Sequence, residues 1–166
     1  NWSLTGSLDG TPISDTVFVF SPSVAPSTGT IVAEVGTIQD ATGTVTVTPG
    51  ALDYLLIRDG PNNSGNVVTT FTMSAGDSET FYAAGYDSED NFRQDEPTAG
   101  WSSTFGLGGS GSSFLFTPTT PDTGTVTVSI DLIEYTTGDI YVIGGILAKL
   151  IIRDGDNGGG SDLTGA

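Results

Sequence analysis

Apolar residues recur at every second position over short stretches of this chain, and no segment carries the three-to-four spacing of a helix face with caps at its ends. Leu52 to Arg58 is an apolar run closed by Asp59-Gly60. Val67 to Met73 sets Val67, Thr69, Phe71 and Met73 on one face, and Ser74-Ala75-Gly76-Asp77 turns the chain after it. Glu79 to Tyr86 follows, then an acidic stretch from Asp87 to Asp95 that reads as a turn. Four more stretches follow: Thr98 to Phe105 around Trp101, Ser110 to Phe116, Gly124 to Ile133 around Val126, Val128 and Ile130, and Asp139 to Ile143. This pattern predicts seven strands between residues 51 and 145. Turn signals come about every eight to twelve residues, the rhythm of a β-sandwich.

The chain also repeats itself. Leu55-Leu56-Ile57-Arg58-Asp59-Gly60 returns as Leu150-Ile151-Ile152-Arg153-Asp154-Gly155, an offset of 95 residues. The same offset carries Thr42–Val47 onto Thr137–Val142, Pro26 onto Pro121, and Thr28-Gly29-Thr30 onto Thr123-Gly124-Thr125. Phe18 and Phe20 match Phe114 and Phe116 at an offset of 96, and Trp2 matches Trp101 at 99. One recurring hexapeptide is plausible by chance; five ordered blocks at a nearly constant offset are not. A unit of about 95 residues is the size of one sandwich domain. The expected division is therefore 1–50 as the back part of one unit, 51–145 as a complete unit, and 146–166 as the first strand and turn of a following one. Asn1 opens the chain just before an aromatic in mid-pattern, which predicts a piece cut out of phase with its own repeat.

Composition narrows the function. Of 166 residues, 24 are glycine and only 14% are charged, while two Trp, eight Phe and five Tyr supply anchors for a core. A net charge of −16, with Arg58, Arg93, Lys149 and Arg153 the basic residues, argues against nucleic acid and against anionic membrane surfaces. No apolar run approaches the length of a membrane span. The chain has no Cys and no His, which removes disulfides, thiolate zinc sites and imidazole-based triads. It shows no nucleophile-elbow, P-loop or dinucleotide-binding glycine pattern, and the expectation is that it is not an enzyme.

The run Phe81-Tyr82-Ala83-Ala84-Gly85-Tyr86-Asp87-Ser88-Glu89-Asp90-Asn91, followed by Asp95 and Trp101-Ser102, resembles the middle of bacterial immunoglobulin-like (Big) domains. The junction Val45-Thr46-Val47-Thr48-Pro49-Gly50-Ala51-Leu52 and the ending Thr123-Gly124-Thr125-Val126-Thr127-Val128 are similar to that family too. The resemblance implies an all-β, immunoglobulin-like β-sandwich in tandem repeats. It further implies a structural or adhesive segment of an extracellular bacterial surface protein or filament, acting as stalk or polymerising unit. The alternative is a spacer or carbohydrate-binding accessory module of a secreted enzyme, which would need an exposed aromatic platform.

Four sets of residues stand out. Asp87, Glu89, Asn91 and Asp95 offer closely spaced oxygens that would suit Ca²⁺; the competing reading is a turn in which Asp and Asn bond nearby backbone amides. Asp154, Asp156 and Asp162 lie among glycines in a second loop loosely similar to a calcium loop, but the glutamate is missing and the spacing is wrong, and the matching loop at Asp59 keeps one carboxylate, which favours a turn. Trp2 and Trp101 are expected as core anchors of their units. Arg58 and Arg153, recurring at strand ends, are expected near the junction between repeats. With almost no linker between Val47 and Leu52, neighbouring units should be closely coupled. Partners are then neighbouring copies or repeats, with 146–166 available for strand exchange into the incomplete first unit.

Overall fold

The structure, a computed structural model, describes residues 1–14, 16–145, 149–157 and 159–163. The expected third block, 146–166, thus lies partly outside the described residues. The described residues contain strands and turns and no helix, which accords with the scarcity of good helix formers and the abundance of Val, Thr and aromatics.

Residues 1–50 form seven short strands: β1 (Trp2–Leu4), β2 (Thr11–Pro12), β3 (Phe18–Val19), β4 (Ser27–Gly29), β5 (Ile31–Val35), β6 (Ile38–Ala41) and β7 (Val45–Val47). They pair as β1-β5-β6, β4-β7 and β2-β3, all antiparallel. The remaining strands are β8 (Tyr54–Arg58), β9 (Phe71–Ser74), β10 (Glu79–Tyr86), β11 (Phe92–Asp95), β12 (Gly100–Ser103), β13 (Gly108–Ser110), β14 (Ser113–Phe116), β15 (Asp122–Gly124), β16 (Val126–Ile130), β17 (Ile133–Thr136) and β18 (Ile140–Ile143).

β10 organises one sheet. Its even-numbered residues from Tyr82 to Tyr86 pair with β8 along one edge. The other edge pairs with β14 over Glu79–Tyr82 and with β11 over Ala84–Tyr86. The exchange falls at Ala83, whose N–H donates to Ser112 O while its carbonyl accepts from Glu96 N. In the second sheet β12 lies between β13 and β16, and β16 forms a hairpin with β17. Thr125 and Thr137–Asp139 interrupt that hairpin, which resumes as β15 against β18; Thr137 spans the gap, its Oγ1 accepting from Val126 N at 3.0 Å. β9 then joins β18 in parallel.

Alternation sends Leu55 and Ile57 from β8, Phe81 and Ala83 from β10, and Phe114 and Phe116 from β14 into one apolar cluster. Met73, Trp101, Val126, Val128, Ile140 and Val142 enter it from the facing sheet. Phe81 stacks on Phe116 at 5.7 Å and Trp101 on Phe114 at 5.5 Å. Each such ring removed from water contributes about 1.5–3 kcal/mol.

The 95-residue offset recurs in the backbone. Ala33↔Asp40 and Val35↔Ile38 reappear as Val128↔Tyr135 and Ile130↔Ile133, and Ser27↔Val47 as Asp122↔Val142. Trp2↔Ala33 reappears as Trp101↔Val128. Thr42 Oγ1 accepts from Ile31 N just as Thr137 Oγ1 does from Val126 N. The tail repeats the β8 turn: Val68 N donates to Ile57 O and Leu163 N to Ile152 O, and Asn62 and Asn157 share a left-handed φ of 54° and 53°.

Four strand expectations need correction. Gly124 to Ile133 is not one strand: the chain reverses at Asp131-Leu132, where Asp131 takes a φ of 52°. Val67 to Met73 is ordered strand only from Phe71, with Val67 in an isolated bridge to Arg58. The acidic stretch contains a strand, β11, and the glycine-rich segment before Ser110 contains another, β13.

Candidate functional site

β10 runs antiparallel to β8, so its last residue, Tyr86, lies beside Tyr54 at the start of β8. The loop after Tyr86 therefore meets the chain where it crosses from β7 into β8. At this crossing two of the sequence-selected residues, Asp87 and Asn91, meet residues 1–50.

Asp87 is buried, and its carboxylate is enclosed by amides. Oδ1 accepts from Glu89 N at 3.1 Å and from Asn91 N at 2.9 Å; Oδ2 accepts from Gly50 N at 2.8 Å. Asn91 Nδ2 lies 3.1 Å from both oxygens. Such donors stabilise the charged form. The Gly50 amide foremost, then those of Asn91 and Glu89, holds the Asp87 carboxyl below its ordinary value of 3.8 against the opposing effect of burial. Asp90, in the left-handed region with a φ of 64°, closes the turn, a conformation that Asp and Asn tolerate.

Asn91 also faces the other way. Its Oδ1 accepts from Ala25 N at 2.8 Å, and its Nδ2 donates to Ser23 O at 3.0 Å. A groove of ≈ 260 Å³ lies along this contact, between Pro22 and Val47 on one side and Asp87 and Glu89 on the other.

The four residues selected for calcium do not converge. Asp87 and Asn91 bond each other. Glu89 is exposed and accepts from Ser88 Oγ, while Asp95 Oδ2 accepts from Asn62 N at 2.8 Å. The neighbouring Asp90 accepts from the Tyr54 hydroxyl, and burial followed by that bond pushes the Tyr54 phenol up to about 12. Among the described residues, no three or more acidic side chains gather as they would around a metal ion. In the second loop Asp154 accepts from Ser161 N, the Asp156 carbonyl accepts from Gly159 N, and Asp162 bridges to Arg153 through the main chain. This is the arrangement of the Asp59 turn, where Asp59 accepts from Asn66 N.

Trp101 sits in the core at 5% exposure, its Nε1 donating to Gly111 O. Trp2 is half-buried, stacked on Phe18 at 5.7 Å, with grooves on either side. Arg58 braces its own turn, Nε donating to the Tyr86 hydroxyl and Nη1 to Gly65 O, and Arg153 Nη1 likewise donates to Gly160 O. The groups that bridge residues 1–50 to the rest are instead Asp87 and Asn91 with Ser23, Ala25 and Gly50. The partners on the 1–50 side are main-chain atoms and carry no side-chain signature. What places this loop beside Gly50 is the antiparallel pairing of β8 with β10, a feature of the structure.

No protein-family model matches the chain, and no curated protein matches it. Among solved structures it is similar to a crystal structure of domains 4 and 5 of the S-layer protein SbsC, with 18% identity and a TM-score of 0.38 over 86% of this chain and 70% of that one.

Proposed function

We propose that this chain is a structural segment of an extracellular bacterial surface protein or filament, built from immunoglobulin-like repeats and acting as a stalk or polymerising unit. The observation that carries the reading is the recurrence of strand register at an offset of 95 residues, from β1-β5-β6 to β12-β16-β17 and from β4-β7 to β15-β18. Stacked units of one kind make a long object with few demands on any single surface. The grouping of β8, β11 and β14 around β10, with β13-β12-β16-β17 as a second sheet and a parallel β9 added to β18 where the β16-β17 hairpin continues, supports the immunoglobulin-like order. A net charge of −16 keeps such a rod soluble and disfavours association through charge alone.

Burial of Trp101 counts against the carbohydrate-binding alternative, since that ring offers no face to a sugar. Partners in the structural reading are further repeats. Leu150 and Ile152 are 77% and 63% exposed, whereas their counterparts Leu55 and Ile57, in β8, are buried. Exchange of 146–166, which repeats the spelling of β8, between copies would bring a β8-like segment to residues 1–50. Filaments unchanged in the electron microscope after deletion of 146–166 would remove that exchange. The surface role itself is tested by proteinase K treatment of intact cells. Loss of the protein without lysis is expected, and full protection until lysis would overturn the reading.

A further inference from the structure

We propose that Asn91 is the pin of a joint that fixes the orientation of one repeat unit on the next by gripping main-chain groups of the preceding unit. The joint would serve a stalk, but its existence is independent of where the protein resides and is testable on the purified chain.

Three contacts define it: Ala25 N to Asn91 Oδ1 at 2.8 Å, Asn91 Nδ2 to Ser23 O at 3.0 Å, and Gly50 N to Asp87 Oδ2 at 2.8 Å. Ser23 and Ala25 lead into β4, and Gly50 leaves β7. These two strands pair with each other, Ser27 opposite Val47. The loop thus holds both legs of one ribbon. A contact at Gly50 alone would leave rotation free about the Pro49-Gly50-Ala51 connection; the pair at Ser23 and Ala25, across the ribbon, removes it.

Asp87 presets the pin. Its carboxylate accepts from both the backbone N–H and the Nδ2 of Asn91, so the side-chain amide can present Nδ2 only towards the acceptors and Oδ1 only towards Ala25 N. The loop brings a donor to a carbonyl and acceptors to two amides, so its three hydrogen bonds to this unit all go to main-chain atoms. Such a joint tolerates sequence variation in the unit it grips, which suits an array of diverging repeats.

The amide has no charged substitute. Asn91→Asp sets a carboxylate oxygen against the Asp87 carboxylate and the Ser23 carbonyl, two acceptors, and should open the joint more than Asn91→Ala, which only deletes its bonds. The experiment is ¹⁵N relaxation and amide hydrogen exchange on the whole chain. In the wild type, residues 1–50 and 51–143 should share one rotational correlation time. In Asn91→Asp the two should separate, and Ala25 N–H should exchange at least about tenfold faster, one net hydrogen bond being worth about 1 kcal/mol and the lost pair more. Asn91→Ala should fall between. Trp101 fluorescence and the melting of the core should stay as in the wild type, which separates loosening of the joint from unfolding of the loop's own unit. Independent tumbling of the two parts in the wild type would overturn the proposal. So would unchanged tumbling and unchanged Ala25 exchange in both variants.

Discussion

A single carboxylate, Asp87, shows how one residue type supports two chemistries. Asp, Glu and Asn within nine positions suit a hard cation as well as they suit a turn, and sequence alone leaves both open. The structure gives these groups partners: the Asp87 oxygens accept from main-chain and side-chain N–H groups, and the neighbouring acids turn to Ser88, Tyr54 and Asn62. A cation would have to displace those donors. Thermal melts in calcium and in chelator, at matched ionic strength, are therefore expected to coincide; a rise with calcium would show that the loop reorganises to bind it. Proton linkage gives a second expectation. Because Asp87 is held below its ordinary value of 3.8 in the folded protein, it supports the loop fully above that value, and the support drains away as the pH falls through the lower folded value. The Gly50 amide resonance should accordingly titrate with a midpoint below 3.8, and a midpoint at or above it would count against this role of Asp87.

At the scale of strands, legibility followed burial. β10 was readable over its full length because both ends of its pattern are marked, by Gly76-Asp77 before and Asp87 after. Its one interior oddity, Gly85, has a spatial cause: a Cβ there would come within 3 Å of the buried Glu96 side chain. The Val126–Thr136 hairpin was not readable, because Leu132 continues an apolar pattern and the turn uses Asp131 in place of glycine, whereas the same turn in the first half uses Gly36 at a φ of 64°. Leu132 is 99% exposed, and Phe116 is fully buried between Phe81 and Phe105. Phe116→Ala should cost about 3–5 kcal/mol in denaturant melts, while Leu132→Ser should stay within about 0.5 kcal/mol. Comparable losses from the two would mean that the hairpin is not where the backbone places it. β11 and β13 escaped notice for a different reason. They are short edge pieces whose sequences carry no alternating apolar run, paired to β10 and β12.

Across the whole chain, the repeat was legible as spelling and is now legible as register, yet equal register does not mean equal stability. Val126, Val128, Ile140 and Val142 are buried between two sheets; their counterparts Ile31, Ala33, Val45 and Val47 are only half-buried, and among the described residues no strand covers them as β8 and β10 cover the second set. Stability under load should be divided in the same way. The core cluster, with the hydrophobics packed on it, runs from Leu52 to Val142, so this part should resist force as one cooperative unit, while the first fifty residues yield early and without a barrier of their own. Pulling the chain between its ends by single-molecule force spectroscopy should then show one main rupture. Fully extended chain spans about 3.3–3.6 Å per residue, so that rupture should release about 30 nm. β18, the last strand of the unit, pairs in parallel with β9, and a parallel pair pulled at opposite ends shears rather than unzips, which makes this contact the expected mechanical barrier. Met73→Ala, which thins the buried face of β9, should lower the rupture force without altering the 30 nm step. A single longer step that includes residues 1–50 would instead show that the two parts share one folding unit, and that the joint at Asn91 bears load rather than merely setting an angle.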